Sequence, residues 1–209
     1  GYSPSLGITQ VREAVAVSLE KRFGIPYRKE HIFMTSGAAG ALAHAIRLVA
    51  QPGDEILTFA PFFPEYHPYV DLTGAVLRVV PPDTERFQIN FEAFEELLGE
   101  KTAAILINTP NNPSGVVYST ATLERLTDIL RKKQKEYGHE IYLISDEPYR
   151  EIVFEGEDAP CVSWFYDNTI MCYSFSKSLS LPGERIGYVA VSPKCRDAET
   201  MIQMCGQIS

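Results

Sequence analysis

Ala103–Asn108 is the stretch that most limits how this chain can fold, because its side chains are almost all apolar. A strand of that composition is buried on both faces, as happens in a parallel sheet covered by helices on either side. Ile141–Ser145 and Thr169–Tyr173 read the same way. Between these runs the period changes. Residues 120–137 place Leu123, Leu126 and Leu130 on one helical face, with Ser119 or Thr120 as the cap. Strands alternating with helices predict an α/β fold, three layers deep (α/β/α), with a mainly parallel central sheet.

The remaining segments fit this frame. A helix is expected over 9–23, with Val11, Ala14, Val15 and Leu19 on one face. His31–Thr35 reads as a strand, and Ser36-Gly37-Ala38-Ala39-Gly40 opens a helix over Ala41–Ala50. Pro52-Gly53-Asp54 marks a turn before a strand at Glu55–Ala60. A helix over Pro64–Leu72, a strand at Ala75–Val80 and a short helix at Phe91–Leu98 follow. Gly187–Ser192 reads as a further strand, placed at a sheet edge. Trp164 and Phe165 are expected to fill core behind the sheet, and Cys172 to be buried. His44 and His67 read as core or surface rather than catalytic.

The 209 residues, 45% of them hydrophobic, suffice for one large domain with a substantial core. A net charge of −8 argues against a nucleic-acid partner. No apolar run approaches the roughly 20 residues that span a bilayer, so no membrane partner is expected. No signal peptide is read at the start. The four cysteines lack metal-type spacing, which predicts no metal site and a reducing, cytoplasmic setting.

In an open α/β sheet, ligands sit beyond the carboxyl ends of the strands. The chemically suggestive residues fall there. Lys177 lies within Ser174-Phe175-Ser176-Lys177, just after an apolar strand, with Arg185 eight residues on. Lysine amines capture carbonyls when desolvation or nearby cations favour the neutral amine, and an arginine alongside suits an anion. Ser36-Gly37-Ala38-Ala39 joins a strand to a helix with small residues. Its backbone amides could meet an anion, or it could be only a tight turn. Asn108 to Gly115 is a rigid polar turn in which Asn112 either presents an amide to a ligand or serves the turn alone. Asp146, ending a strand in Ser145-Asp146-Glu147-Pro148-Tyr149, reads as a cap, an ion-pair member, or a buried carboxylate holding a heteroaromatic nitrogen protonated.

Together these pieces resemble the class I/II aminotransferases of the fold-type I pyridoxal-phosphate enzymes. The run from Ser174 through Lys177 to Arg185 and Gly187 fits that family's lysine signature. Thr109 to Gly115 and Ser145 to Tyr149 follow in the family's order, and Tyr2 to Gly7 with Arg12-Glu13-Ala14 looks like its segment before the large domain. The resemblance implies that residues 1–209 are the large domain, with the N-terminal arm and the C-terminal small domain absent. It implies pyridoxal 5′-phosphate as cofactor, joined to Lys177 as a Schiff base. Asp146 would face the ring nitrogen, and Asn112 and Tyr149 the phenolic oxygen. Gly37, Ala38, Ala39, Ser174, Ser176 and Arg185 would hold the phosphate. Phe63 would stack on the ring, although Phe62 or Phe63 could be core. Tyr2 would reach the phosphate of a neighbouring subunit, implying a homodimer. The activity implied is ping-pong transfer of an amino group between an amino acid and a 2-oxo acid. A C–S lyase or synthase of the same fold and the sensor domain of an aminotransferase-like regulator are the alternatives. The arginine that grips the substrate carboxylate has no matching position here, so the chain is expected to turn over poorly.

Overall fold

A computed structural model describes residues 4–154 and 159–208. In chain order the elements are α1 (Thr9–Phe23), β1 (Ile32–Ser36), α2 (Gly37–Val49), β2 (Glu55–Phe59), α3 (Tyr66–Asp71), β3 (Val76–Val80) and α4 (Phe91–Leu97). These are followed by β4 (Thr102–Asn108), α5 (Thr120–Tyr137), β5 (Tyr142–Asp146), β6 (Thr169–Ser174), α6 (Phe175–Ser178), β7 (Ile186–Val191) and α7 (Ala198–Ile208).

The seven strands form one sheet in the order β1-β7-β6-β5-β4-β2-β3. Pairing from β6 through β5, β4 and β2 to β3 is parallel, while β7 runs antiparallel to both β1 and β6. Side chains alternate across the sheet as a strand requires. Ala104 and Leu106 face a cluster with Ile46, Tyr66, Val70 and Met201 of α2, α3 and α7. Ile105 and Ile107 face Phe94, Leu123, Leu126 and Leu130 of α4 and α5, and α1 covers the adjoining part of the same face. This is the three-layer α/β/α arrangement. Each fully buried leucine of α5 contributes about 1.5–3 kcal/mol relative to an exposed one. Ser119 is the α5 cap, accepting from the Thr122 N–H, and Gly138 ends the helix in the left-handed region.

Three expectations change. First, β7 lies inside the sheet rather than at its edge. β1 takes the edge position, pairing Ile32–Ser36 with Ala190–Ile186. Second, α1 buries Arg12, Val15, Ala16, Leu19 and Phe23, and leaves Val11 and Ala14 exposed. Arg12 turns inward because its guanidinium donates to the carbonyls of Ile32 and Lys29, tying α1 to the start of β1. Third, Trp164 is half exposed, held by its indole N–H on the Phe23 carbonyl at 2.8 Å, while Phe165 packs at the margin of the core. Among the described residues no helix is long and apolar enough to cross a membrane.

Candidate functional site

β1, β4, β5 and β6 all end on the same rim of the sheet, and β7 begins there because it runs the other way. That rim carries an open cavity of about 380 Å³. Its floor is the end of β5. Asp146, the last residue of that strand, is buried. Its Oδ2 accepts from the Tyr66 hydroxyl at 2.7 Å, while Oδ1 is buried with no partner among the described residues. Burial pushes the Asp146 carboxyl up to about 7. The Tyr66 hydrogen bond opposes this, and the Glu147 charge adds to it.

Asn108, closing β4, joins two parts of the floor. Its side-chain amide donates to the Asp146 carbonyl at 2.8 Å, and its oxygen accepts from the Asn112 backbone N–H at 2.6 Å. Asn112 lines the cavity beside Tyr149. Burial, and then the Asp146 charge, raises the Tyr149 phenol, so that it remains a donor at neutral pH.

Lys177 stands on α6, a single turn directly after β6, with its Nζ 5.6 Å from the centre of the Tyr149 ring. Ser174 caps that turn by accepting from the Ser176 N–H, and the two hydroxyls are 2.7 Å apart. Across from them, Ala38 and Ala39 form the first turn of α2, whose free N–H groups and helix dipole favour an anion. Gly37 begins that helix at φ +70°, and a Cβ there would lie 2.6 Å from the Arg185 guanidinium. Glycine at this position therefore lets Arg185 lie against the helix start. Gly187 does the same for the sheet, since a Cβ would come within 2.4 Å of the Tyr173 carbonyl and 2.7 Å of Gly37. Arg185 itself adopts the left-handed region at φ +51°, an uncommon conformation for a side-chain-bearing residue; its side chain lines the cavity and donates to the Pro182 carbonyl at 3.3 Å.

Phe63 forms part of the cavity wall, edge-on to Tyr66, whereas Phe62 stacks on Tyr66 behind that wall. The structure thus brings Lys177, Asp146, Asn112, Tyr149, Ala38, Ala39, Phe63, Ser174, Ser176 and Arg185 to one cavity, with Gly37 beneath Arg185. Tyr2 lies outside the described residues. Tyr66 and Asn108 were not singled out as site residues by the sequence. Asn108 carries a local signal, a polar residue ending an apolar strand. Tyr66 carries none, because its partner is 80 positions away.

The donor set is specific. A buried carboxylate oxygen without a partner asks for an N–H, an amine stands nearby, and a helix start with Arg185 and two serine hydroxyls asks for a polyanionic oxygen group. A phosphorylated, aldehyde-bearing pyridine fits all three.

Comparisons with known proteins agree on one family. Aminotransferase class I and II matches residues 1–207. An aspartate aminotransferase of Thermotoga maritima is 36% identical over 205 residues, covering 97% of this chain and 53% of the relative. A methionine aminotransferase of Escherichia coli is 32% identical, covering 92% of this chain and 50% of its own length. The crystal structure of an amino transferase from Eubacterium rectale superposes with a TM-score of 0.96 at 46% identity, covering 100% of this chain and 53% of that one. The chain spans about half the length of the relatives it matches.

Proposed function

Because the chain belongs to the aminotransferase class I and II family, we propose that it is the cofactor-binding large domain of a pyridoxal-phosphate-dependent aminotransferase. Its substrates are an amino acid and a 2-oxo acid, used in turn. The observation that carries the reading is Asp146 Oδ1, a buried acceptor with no partner among the described residues, on the floor of the cavity that Lys177 lines.

When bound, pyridoxal phosphate supplies an electron sink that makes an amino acid's α-proton removable. Asp146 would offer Oδ1 to the ring N–H, whose positive charge would favour the ionised carboxylate. Tyr66 holds the other oxygen and fixes the carboxylate plane. Ala38 and Ala39 N–H groups, the hydroxyls of Ser174 and Ser176 and the Arg185 fork hold the phosphate. Phe63, in the cavity wall, would pack against one ring face. Asn112 and Tyr149 donate to the phenolic oxygen. Lys177 Nζ would be the amine that anchors the cofactor through its aldehyde and, when free, the base that would move the substrate's α-proton. The protein is a homodimer that works in the cytoplasm.

The relatives' names span aspartate and methionine, so the substrate side chain is not assigned. The test is borohydride reduction of the chain mixed with pyridoxal phosphate, followed by peptide mass analysis. A cofactor-mass addition on the peptide containing Lys177, lost in Lys177→Ala, is expected. Addition spread over surface lysines, unchanged in that variant, would overturn the reading.

A further inference from the structure

On the sheet face opposite α2, a chain of side chains reaches the back of the lysine turn. Tyr173 is buried one residue before the end of β6, stacked on Tyr188 at 5.0 Å and edge-on to Phe175 at 5.3 Å. Its hydroxyl lies 2.7 Å from both Glu151 Oε2 and Ser178 Oγ. One phenolic proton cannot serve two acceptors. The carboxylate only accepts, so Tyr173 donates to Glu151, and the Ser178 hydroxyl donates to Tyr173. Glu151 is in turn paired with Arg22 of α1. Ser178 directly follows Lys177, and α6 is only four residues long.

A single turn has little intrinsic stability, so side-chain tethers decide how it sits. At its start the turn is held by the Ser174 cap, and at its end by Ser178 on the phenol. We propose that Tyr173 is a positioning residue that, through Ser178, fixes the orientation of α6 and so directs the Lys177 amine at the cofactor's aldehyde carbon. Tyr173 touches no reacting atom. The inference rests on the reading of Lys177 given above.

Two probes separate positioning from general loosening. Pyridoxal 5′-phosphate is captured covalently, the amine adding to the aldehyde with loss of one water. Pyridoxine 5′-phosphate has the same ring and phosphate but an alcohol in place of the aldehyde, so it binds without capture. Tyr173→Phe and Ser178→Ala are each expected to slow capture by about tenfold, with pyridoxine phosphate affinity unchanged. The double variant should be no slower than either single one, because both cut the same link. Unchanged capture in both variants would overturn the proposal, as would an equal loss of affinity for both probes. Should Tyr173→Phe fail to fold, Ser178→Ala, at a half-buried position, decides the matter alone. A wild-type chain that captures no pyridoxal phosphate would instead sink the functional reading, and this proposal with it.

Discussion

Asp146 faces two environments at once. One oxygen is held by Tyr66, and the other is buried at the cavity floor with no hydrogen-bond partner among the described residues. Without a cation opposite, its folded-state pKa, raised by burial to about 7, exceeds that of an unfolded aspartate. The native state therefore binds the proton more tightly than the unfolded chain does. Its stabilising contribution is full below about pH 4 and is lost as pH rises through about 7. For a displacement of this size the loss is on the order of 4 kcal/mol. Urea unfolding of the cofactor-free chain should show stability declining across that window, and Asp146→Asn should flatten the decline. A wild-type profile parallel to that of Asp146→Asn would show that the carboxylate is already neutralised by something else. Asp146 is legible in the sequence as a carboxylate ending an apolar strand. Its hydrogen bond to Tyr66 is not, because strand order and the α3 approach bring the two together.

The turn after β5 shows how an element is braced from below. Glu147 and Arg150 form an ion pair that is almost wholly buried, and the Ser145 hydroxyl donates to Glu147 at 2.7 Å. Arg150 also donates to the Ala159 carbonyl at 2.9 Å and lies over the Phe23 ring at 5.0 Å. The pair thus ties the turn bearing Asp146 and Tyr149 to α1 and to the segment beginning at Ala159. Removing one member strands a buried charge. Arg150→Met should cost about 3–5 kcal/mol in denaturant unfolding, with much of this recovered when Glu147→Gln is added. A loss below about 1 kcal/mol would mean that water reaches Glu147. The buried strands β4, β5 and β6 were readable because a run apolar on both faces is a local signal. The position of β7 was not, since an antiparallel insertion depends on β1, some 150 residues earlier. The buried face of α1 was misread for a related reason. Arg12 is polar by type but satisfied by distant carbonyls, while Val11 and Ala14 border an open groove with Leu179 and Phe175.

At the scale of the whole molecule, the rim bearing the cavity is also where apolar surface is left open. Leu179 and Leu181, between Lys177 and β7, and Ile186, the first residue of β7, are 58%, 43% and 41% exposed. Apolar side chains are exposed elsewhere too, Leu72 by 83% and Val17 by 63% among them, but these three adjoin the cavity, where exposed apolar surface suits contact with protein. The proposed homodimer would cover this stretch. Sedimentation of the chain should show a concentration-dependent dimer, and Leu181→Asp should weaken it by about tenfold or more. A monomer at all concentrations would overturn the proposed homodimer of this chain, and a dimer indifferent to Leu181→Asp would place its contact elsewhere. The same stretch has a geometric consequence. Since β6 leaves the sheet at this rim and the reversed β7 re-enters it alongside, the lysine and the guanidinium are the two ends of one short excursion, pinned in register by the pairing of Ser174 with Gly187. Residues 175–185 then act as a ruler. Under the proposed function their number would set the gap between the amine that bonds the cofactor and the guanidinium that grips its phosphate, so a residue gained or lost there would change the length of molecule that can be held at both ends, while the sheet beneath stays as it is.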